Sequence, residues 1–193
     1  MSELRSGQVK LLLVAALFFA PVIGAITLFF FLPQYIPAGR VNYGTLVSPA
    51  RPLPALGLTD VQGEAAPAAL QGKWTLLYLG SERCDEACAA RLVLARQVRL
   101  ALNEKRGRVQ RAYLAPSVAA AAAARDALAA QHPDLVLVAG DAAVAARFFQ
   151  PTDPHALYLI DPLGNWLMVY TGEVEHKGLH RDLKKLLRIS QVG

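Results

Sequence analysis

The sequence has little that would mark a nucleic-acid-binding protein. Its 193 residues carry a net charge of +5, but the 20 Lys and Arg residues are spread along the chain and form no basic run. Aromatic residues make up 8% of the chain and do not alternate with basic ones, so no base-stacking surface is predicted. Internal repeats are absent as well. The positive charge is therefore assigned to solvated faces, and no nucleic acid is expected as a partner.

Cysteine and histidine are scarce, with two and four residues respectively. Both cysteines, Cys84 and Cys88, fall in the short stretch LGSERCDEACAAR. Two cysteines this close can act as a redox pair, hold a metal ion or form a structural disulfide. The spacing alone leaves all three possibilities open.

One long apolar run is present, LLLVAALFFAPVIGAITLFFFL at residues 11–32, and it carries no charge. As a helix it would be about 33 Å long, enough to cross a bilayer's hydrocarbon core. A cleaved signal peptide is the alternative, but its apolar region is usually shorter, about 7–15 residues. Arg5 and Lys10 precede the run and the next basic residue is Arg40, so the N-terminus is expected in the cytoplasm. In a bacterium this predicts a single-pass inner-membrane protein with a periplasmic C-terminal part.

The chain divides into four parts on this interpretation. Residues 1–10 form a cytoplasmic tail, and residues 11–32 form the anchor. Residues 33–54 are rich in Pro and Gly and are predicted to be an extended tether lying along the membrane or the domain. Residues 55–193 form the exported domain, which begins with a short hairpin predicted over Leu58–Ala65.

Hydrophobic periodicity predicts an α/β fold for this domain. The apolar run Trp74–Leu79 is typical of a strand buried on both faces. The predicted order is βαβαβαββα, which indicates a largely parallel central sheet with helices on both faces and a closing hairpin that forms an antiparallel edge. The remaining predicted elements are helix Asp85–Asn103, strand Val109–Leu114, helix Val118–Gln131, strand Leu135–Val138, helix Ala142–Phe149, strands Ala156–Asp161 and Trp166–Tyr170, and helix Gly178–Ser190.

The cysteines are predicted to lie just past the carboxyl end of the first central strand, where sites gather in such sheets. A helix N-terminus favours thiolate, but the acidic residues Glu82, Asp85 and Glu86 oppose it, and Arg83 offsets only part of their charge. The same acids would favour a bound cation. Two thiolates at helical i, i+4 spacing suit Cu(I) or zinc, and equally suit a disulfide.

Four histidines could supply a further ligand. His155 begins a central strand that can lie beside the cysteine loop, so it is the candidate third metal ligand, with an ordinary loop histidine as the alternative. His132 is predicted to be a helix cap or surface residue. His176 and His180, with Glu173 and Glu175 nearby, could chelate a metal ion, although a solvated helix start is the simpler interpretation.

Two segments resemble the Sco (SenC) proteins. These are GKWTLLYLGSERCDEAC at residues 72–88, with its Cys-x3-Cys motif, and LYLIDPLGNWLMVYTG at residues 157–172. The resemblance covers roughly residues 55–190 and is reinforced by the N-terminal anchor. It implies a thioredoxin-like fold with a central mixed sheet, and a membrane-anchored factor that delivers copper to cytochrome c oxidase. Its implied partners are an oxidase subunit or an assembly factor.

The chain departs from the family pattern at three places. The prolines usual in or after the cysteine motif are replaced by Asp85, Glu86 and Ala89. The family's copper-binding histidine stands five residues before the tyrosine of the late strand, a position held here by Asp153. His155 stands only three residues before Tyr158. Asp153 is a hard oxygen donor, poorly suited to Cu(I). Pro154 is a candidate for the cis-proline that often faces the cysteines in thioredoxin-like folds.

Three hypotheses follow. In the first, Cys84 and Cys88 form the redox pair of a copper accessory protein and bind Cu(I) with help from His155. The second is a thiol–disulfide oxidoreductase in which Cys84 attacks and Cys88 resolves. The third is a non-catalytic assembly partner whose disulfide is only structural. A metallochaperone or redox accessory protein is favoured over a turnover enzyme. The first hypothesis assumes that both sulfurs lie side by side, open to solvent, with His155 able to approach them.

Overall fold

The computed structural model describes residues 2–32 and 42–191, which form two separate units. The first unit is helix α1, Ser2–Phe31, which contains all but the last residue of the predicted apolar run. Within its stretch Gly7–Phe31, the most apolar 18-residue window has a mean hydropathy of 2.6, and none of that window is buried within the protein. By length and composition α1 can cross a membrane, as the sequence predicts. Pro21 lies inside it, which membrane helices tolerate.

The second unit begins at Asn42 and is built on a six-stranded mixed sheet. Across the sheet the strands run in the order β1-β6-β5-β2-β3-β4. The strands β2, β3 and β4 are parallel, whereas β5 is antiparallel to β2, β6 to β5 and β1 to β6. The predicted hairpin of β5 and β6 is therefore present, but it lies in the middle of the sheet. The strands are β1 Thr45–Pro52, β2 Trp74–Leu79, β3 Val109–Ala115, β4 Leu135–Ala139, β5 Leu157–Ile160 and β6 Asn165–Tyr170.

Helices cover both faces of this sheet. The apolar run of β2 packs against the helices on both faces, because alternate side chains of a strand point in opposite directions. Leu76 belongs to one core cluster and Leu77 to the other. The first cluster contains the buried faces of α2, α3 and α5, and the second that of α4. Each fully buried leucine contributes about 1.5–3 kcal/mol. The helices are α2 Glu86–Ala101, α3 Val118–Leu128, α4 Ala142–Phe149 and α5 His176–Ile189, with a 3-10 turn at Asn103–Arg108.

The predicted tether differs most from the structure. Thr45–Pro52 forms the edge strand β1, with Thr45 paired to Val169 and Pro52 to Asn165. Prolines are tolerated there because an edge strand leaves half of its N–H groups unpaired. The sequence missed this strand because its side chains are mostly exposed and show no apolar alternation. The predicted hairpin at Leu58–Ala65 is reduced to one antiparallel bridge between Thr59 and Ala65. Residues 33–41 of the tether lie outside the described part of the chain.

The buried carboxylate of Asp182 holds the first residues of this unit in place by hydrogen bonds. Asp182 on α5 is 2% exposed, and its Oδ2 accepts hydrogen bonds from the N–H groups of Tyr43 and Gly44, both at 2.9 Å. The hydroxyl of Tyr170 on β6 donates to the same oxygen at 3.2 Å. Burial and the neighbouring Asp182 charge both raise the pKa of Tyr170, so the tyrosine remains a neutral donor. The three bonds join α5 to β6 and to the residues before β1.

His132 donates its backbone N–H to the Leu128 carbonyl at the end of α3 at 2.8 Å, as the predicted cap would, but it is not the surface residue that the sequence offered as the alternative. It is 3% exposed, and its Nδ1 lies 3.1 Å from Nη1 of Arg111, which is itself 1% exposed. A guanidinium can only donate, so Nδ1 accepts and the imidazole is neutral. Asp134 pairs with both Arg111 and Arg99 of α2. Burial, and then the charges of Arg111 and Arg96, lower the pKa of His132. Sequence reasoning missed this because Arg111 comes from another strand, 21 residues earlier in the chain.

Candidate redox and metal site

The cysteines flank the start of α2, directly after strand β2. Asp85 caps this helix, since its Oδ1 accepts a 2.8 Å hydrogen bond from the N–H of Cys88. Cys88 is therefore in the first turn, and Cys84 lies just before the cap. Their Cα atoms are 5.3 Å apart, and the two sulfurs form a disulfide. The carboxyl end of β2 thus holds the pair where the sequence predicted it.

The two sulfurs differ in burial. Cys84 is partly buried, whereas Cys88 is 2% exposed and belongs to the core cluster that contains Leu92 and Ala95. The expectation that both sulfurs are open to solvent is therefore wrong for Cys88, and the pair is accessible only through the partly exposed Cys84. Cys88 lies on the face of α2 that packs into the core, together with Leu92 and Ala95, which follow it by four and seven residues.

Acidic residues surround the pair on the solvent side. Glu82, Asp85 and Glu86 are exposed, as is Arg83. Their field reaches the tyrosines beneath: burial and then the charge of Asp85 raise the pKa of Tyr78. Negative charge at this position disfavours a thiolate and favours a cation, as the sequence indicated.

His155 lies at the same end of the sheet as the disulfide. Strand β5 is antiparallel to β2, with Leu157 paired to Tyr78, so the residues before β5 meet the loop that follows β2. The Nδ1 of His155 is 2.8 Å from the hydroxyl of Tyr78, and the two rings are stacked with centroids 6.3 Å apart. Tyr78 belongs to the same core cluster as Cys88, and Cys84 packs against that cluster. The structure therefore brings His155 to the cysteine side of the sheet through Tyr78.

Asp153, which the resemblance places at the position of the family's histidine, holds two backbone N–H groups in this structure. Its Oδ1 accepts from the N–H of His155 at 2.8 Å, and its Oδ2 accepts from the N–H of Gly172 at 2.7 Å. Burial alone would raise the pKa of Asp153, but these N–H donors and nearby positive charge lower it overall. The peptide bond before Pro154 is trans, since the cis bond found among the described residues precedes Pro49. The cis-proline prediction is therefore wrong.

No three His, Cys, Asp or Glu side chains converge to hold a metal ion within residues 2–32 and 42–191. With the disulfide closed, Cys84, Cys88 and His155 do not form a complete three-ligand site. The donor types nevertheless fit a soft cation, because opening the disulfide yields two adjacent sulfurs, with an imidazole on the same side of the sheet. His176 and His180 have stacked rings 6.2 Å apart at the start of α5, and a ring nitrogen of His180 lies 3.2 Å from the carbonyl of Ala101.

Sequence reasoning missed Tyr78 and Tyr113, which stack with centroids 5.7 Å apart beneath the cysteine loop. The hydroxyl of Tyr113 donates to the Ser81 carbonyl at 3.1 Å. An available signal was that both tyrosines lie close to the carboxyl ends of strands predicted to be central. A mainly apolar cavity of about 260 Å³ lies beside the loops that contain Ser81 and Pro154. Leu79 and Tyr158 are among the residues that line it.

The fold and the cysteine pair define a thioredoxin-like domain with a disulfide at the carboxyl edge of its sheet. Residues 74–190 match the family described as transmembrane-like, thioredoxin-like, C-terminal domain. This match covers more than half of the chain, so the protein belongs to that family. A comparison with curated protein sequences finds no match.

Solved structures show the same fold. Yeast Sco1 with copper bound is 20% identical, with a TM-score of 0.59 over 72% of this chain and 90% of that one. The apo Sco1 protein from Thermus thermophilus is 20% identical, with a TM-score of 0.57 over 78% and 98% of the two chains. Bradyrhizobium japonicum ScoI with copper bound is 21% identical, with a TM-score of 0.52 over 69% and 98%. The resemblance to Sco proteins is confirmed at the level of the fold.

Proposed function

We propose that the protein is a membrane-anchored copper and thiol-redox accessory factor for the assembly of respiratory cytochrome c oxidase. The observation that carries this proposal is the Cys84–Cys88 pair, held at the carboxyl edge of a fold shared with copper-bound Sco structures. The acidic residues around the pair support cation binding over thiolate nucleophilicity. The domain functions on the periplasmic side of a bacterial inner membrane, with α1 as its anchor and an oxidase subunit or assembly factor as its partner.

The chemistry begins with reduction of the disulfide. Two electrons from a thiol reductant and two protons convert the S–S bond into two thiols. The dithiol then binds Cu(I) as cargo and releases its thiol protons, because thiolate is the ligand form. His155 completes the ligand set. A partner with more ligands removes the ion by exchange, and reoxidation to the disulfide ends binding.

Titration of the reduced full-length protein in detergent with Cu(I), against a competing chelator of known affinity, tests this proposal. We expect one equivalent to bind, with binding lost in the Cys84→Ser/Cys88→Ser double variant, which preserves size at both positions. Equal copper binding by the reduced wild-type protein and the double variant would contradict the proposal. Alkaline phosphatase fused after residue 193 should be active in cells if the domain is periplasmic, and inactive if it is cytoplasmic.

The unequal burial of the cysteines favours a second candidate, a periplasmic thiol–disulfide oxidoreductase. A partly exposed Cys84 can attack a partner's disulfide as thiolate, forming one S–S bond and expelling the partner's other sulfur as thiolate. The buried Cys88 then attacks Cys84 Sγ, which releases the reduced partner and restores the disulfide. Turnover of a disulfide substrate by the copper-free protein would select this candidate. A stoichiometric reaction without turnover would select the accessory factor.

A further inference from the structure

The hydroxyl of Tyr78 and Nδ1 of His155 are 2.8 Å apart. From this contact we propose that Tyr78 is a positioning residue: it engages Nδ1 of His155 and thereby presents Nε2 as the nitrogen that binds Cu(I). This inference rests on the proposed function, because it assumes that Cys84 and Cys88 bind the ion. Strand β2 then has two roles in the site. It leads into the loop that carries Cys84, and its residue Tyr78 orients a metal ligand.

Tyr78 is suited to this role because its own position is fixed. It is 3% exposed and paired within the sheet on both sides, to Tyr113 of β3 and to Leu157 of β5. Its ring stacks between Tyr113 and His155, with interplanar angles of 23° and 21°. A hydroxyl held in this way offers a rigid partner to an imidazole that lies outside regular structure.

The backbone of His155 is held independently of its ring. Its N–H donates to Asp153 Oδ1, and Asp153 is tied through Oδ2 to the N–H of Gly172. The residue lies two positions before Leu157, the partner of Tyr78 in the sheet. With the backbone fixed at both points, the remaining freedom of the imidazole is rotation of its side chain, and the Tyr78 hydroxyl limits that rotation.

The hydrogen bond also selects the ligating nitrogen. A histidine that binds a metal through one nitrogen usually donates its other N–H to an oxygen, which fixes both the tautomer and the ring orientation. A phenol oxygen can accept a hydrogen bond as well as donate one. When Nε2 binds copper, Nδ1–H donates to the Tyr78 hydroxyl. Loss of this oxygen removes both the orientation and the tautomer preference.

Matched variants test the inference. Tyr78→Phe and Tyr113→Phe each remove one hydroxyl from two stacked rings, but the Tyr113 hydroxyl donates to the Ser81 carbonyl and does not reach His155. In the reduced full-length protein, Tyr78→Phe should weaken Cu(I) binding about 10-fold, the low end for loss of such a partner. Tyr113→Phe should change it by less than about 2-fold, and Tyr78→Phe should have no further effect when combined with His155→Ala.

Nitrogen NMR of His155 supplies a readout that a general loss of packing would not change. In the Cu(I)-loaded wild-type protein and in Tyr113→Phe we expect Nδ1 protonated and Nε2 coordinated, with a mixture of tautomers or free imidazole in Tyr78→Phe. Unchanged or tighter binding in Tyr78→Phe would overturn the inference and leave the proposed function intact. The inference would also be overturned if adding Tyr78→Phe to the His155→Ala variant lowered the Cu(I) affinity as much as it does in the wild-type protein. A wild-type protein that binds no Cu(I) when reduced would overturn the proposed function, and the inference with it.

Discussion

Gly80 lies directly against the ring of Tyr113, with no space for a β-carbon between them. A Cβ built on Gly80 would overlap the Cζ, Cε1 and Oη atoms of that ring. Gly80 is the first residue after β2, and its N–H donates to the Leu114 carbonyl at 2.8 Å. This close approach allows Tyr113 to lie beneath the loop that leads to Cys84, so the smallest residue is needed where the site begins.

The first prediction concerns this glycine. Gly80→Ala should lower the free energy of unfolding by about 2 kcal/mol, because the added methyl group overpacks a buried ring that the sheet holds in place. The measurement is urea unfolding of the full chain in detergent. Gly107→Ala is the control, since a Cβ at this exposed position meets nothing within 4 Å, and it should change stability by less than about 0.5 kcal/mol. Equal effects of the two substitutions would contradict the prediction.

The second prediction follows from the unequal burial of the sulfurs. After reduction, Cys84 should react with iodoacetamide at least about 10-fold faster than Cys88, because only an accessible thiolate is alkylated. Mass spectrometry of peptides after partial labelling measures the two rates. The single variants Cys84→Ser and Cys88→Ser should each preserve the rate of the remaining cysteine. Preferential labelling of Cys88 would show that α2 opens when the disulfide is reduced.

The third prediction is a pH dependence from His132. The pKa of His132 is lower in the folded protein than in the unfolded chain. As the pH falls, this histidine therefore binds a proton in the unfolded chain before it does so in the folded protein. The unfolding free energy should fall as the pH drops below about 6.5. His132→Asn places an amide oxygen where Nδ1 accepts from Arg111, and it does not titrate. Its unfolding free energy should therefore fall less than that of the wild-type protein between pH 7 and pH 5. Parallel pH profiles for the two proteins would refute a buried neutral imidazole. Asp134, whose pKa is lowered by Arg111 despite its burial, acts only at more acid pH.

The fourth prediction concerns Asp182. Asp182→Ala removes the acceptor of three hydrogen bonds, from Tyr43, Gly44 and Tyr170, and leaves these donors buried or partly buried. We expect a loss of about 3 kcal/mol or more in unfolding free energy. Asp126→Ala serves as the control, because that carboxylate is 71% exposed and pairs only with Arg125 at the surface, a contact worth little. A loss no greater than that of the control would show that the three hydrogen bonds to Asp182 do not hold α5 in place.

Much of the fold could be predicted because its signals are local. The buried run Trp74–Leu79, the helix at Ala142–Phe149 and the strand at Val109–Leu114 appear at their predicted positions, within one residue of the observed ends. Each is encoded by a continuous apolar run or a helical period, which neighbouring residues carry together. Strand β1 carries no such pattern, because it is an exposed edge whose partner β6 is more than 100 residues away.

The candidate site was predictable only in part, for the same reason. The position of Cys84 and Cys88 after a central strand follows from their neighbours in the chain. The burial of Cys88, the contact of His155 with Tyr78 and the use of Asp153 to hold two N–H groups all depend on residues that meet across strands. The ligand role of His155 remains a prediction that copper binding must test.

The sequence by itself determined the apolar helix, the alternation of strands and helices, and the four-residue spacing of the cysteines, since each is a property of consecutive residues. Only the tertiary structure decided the burial of Cys88, the neutral state of His132 and the three hydrogen bonds that the carboxylate of Asp182 accepts. Burial and charge at these positions are set by groups brought together from separate strands and helices, and the free energy of placing a polar group there depends on those neighbours more than on its own segment.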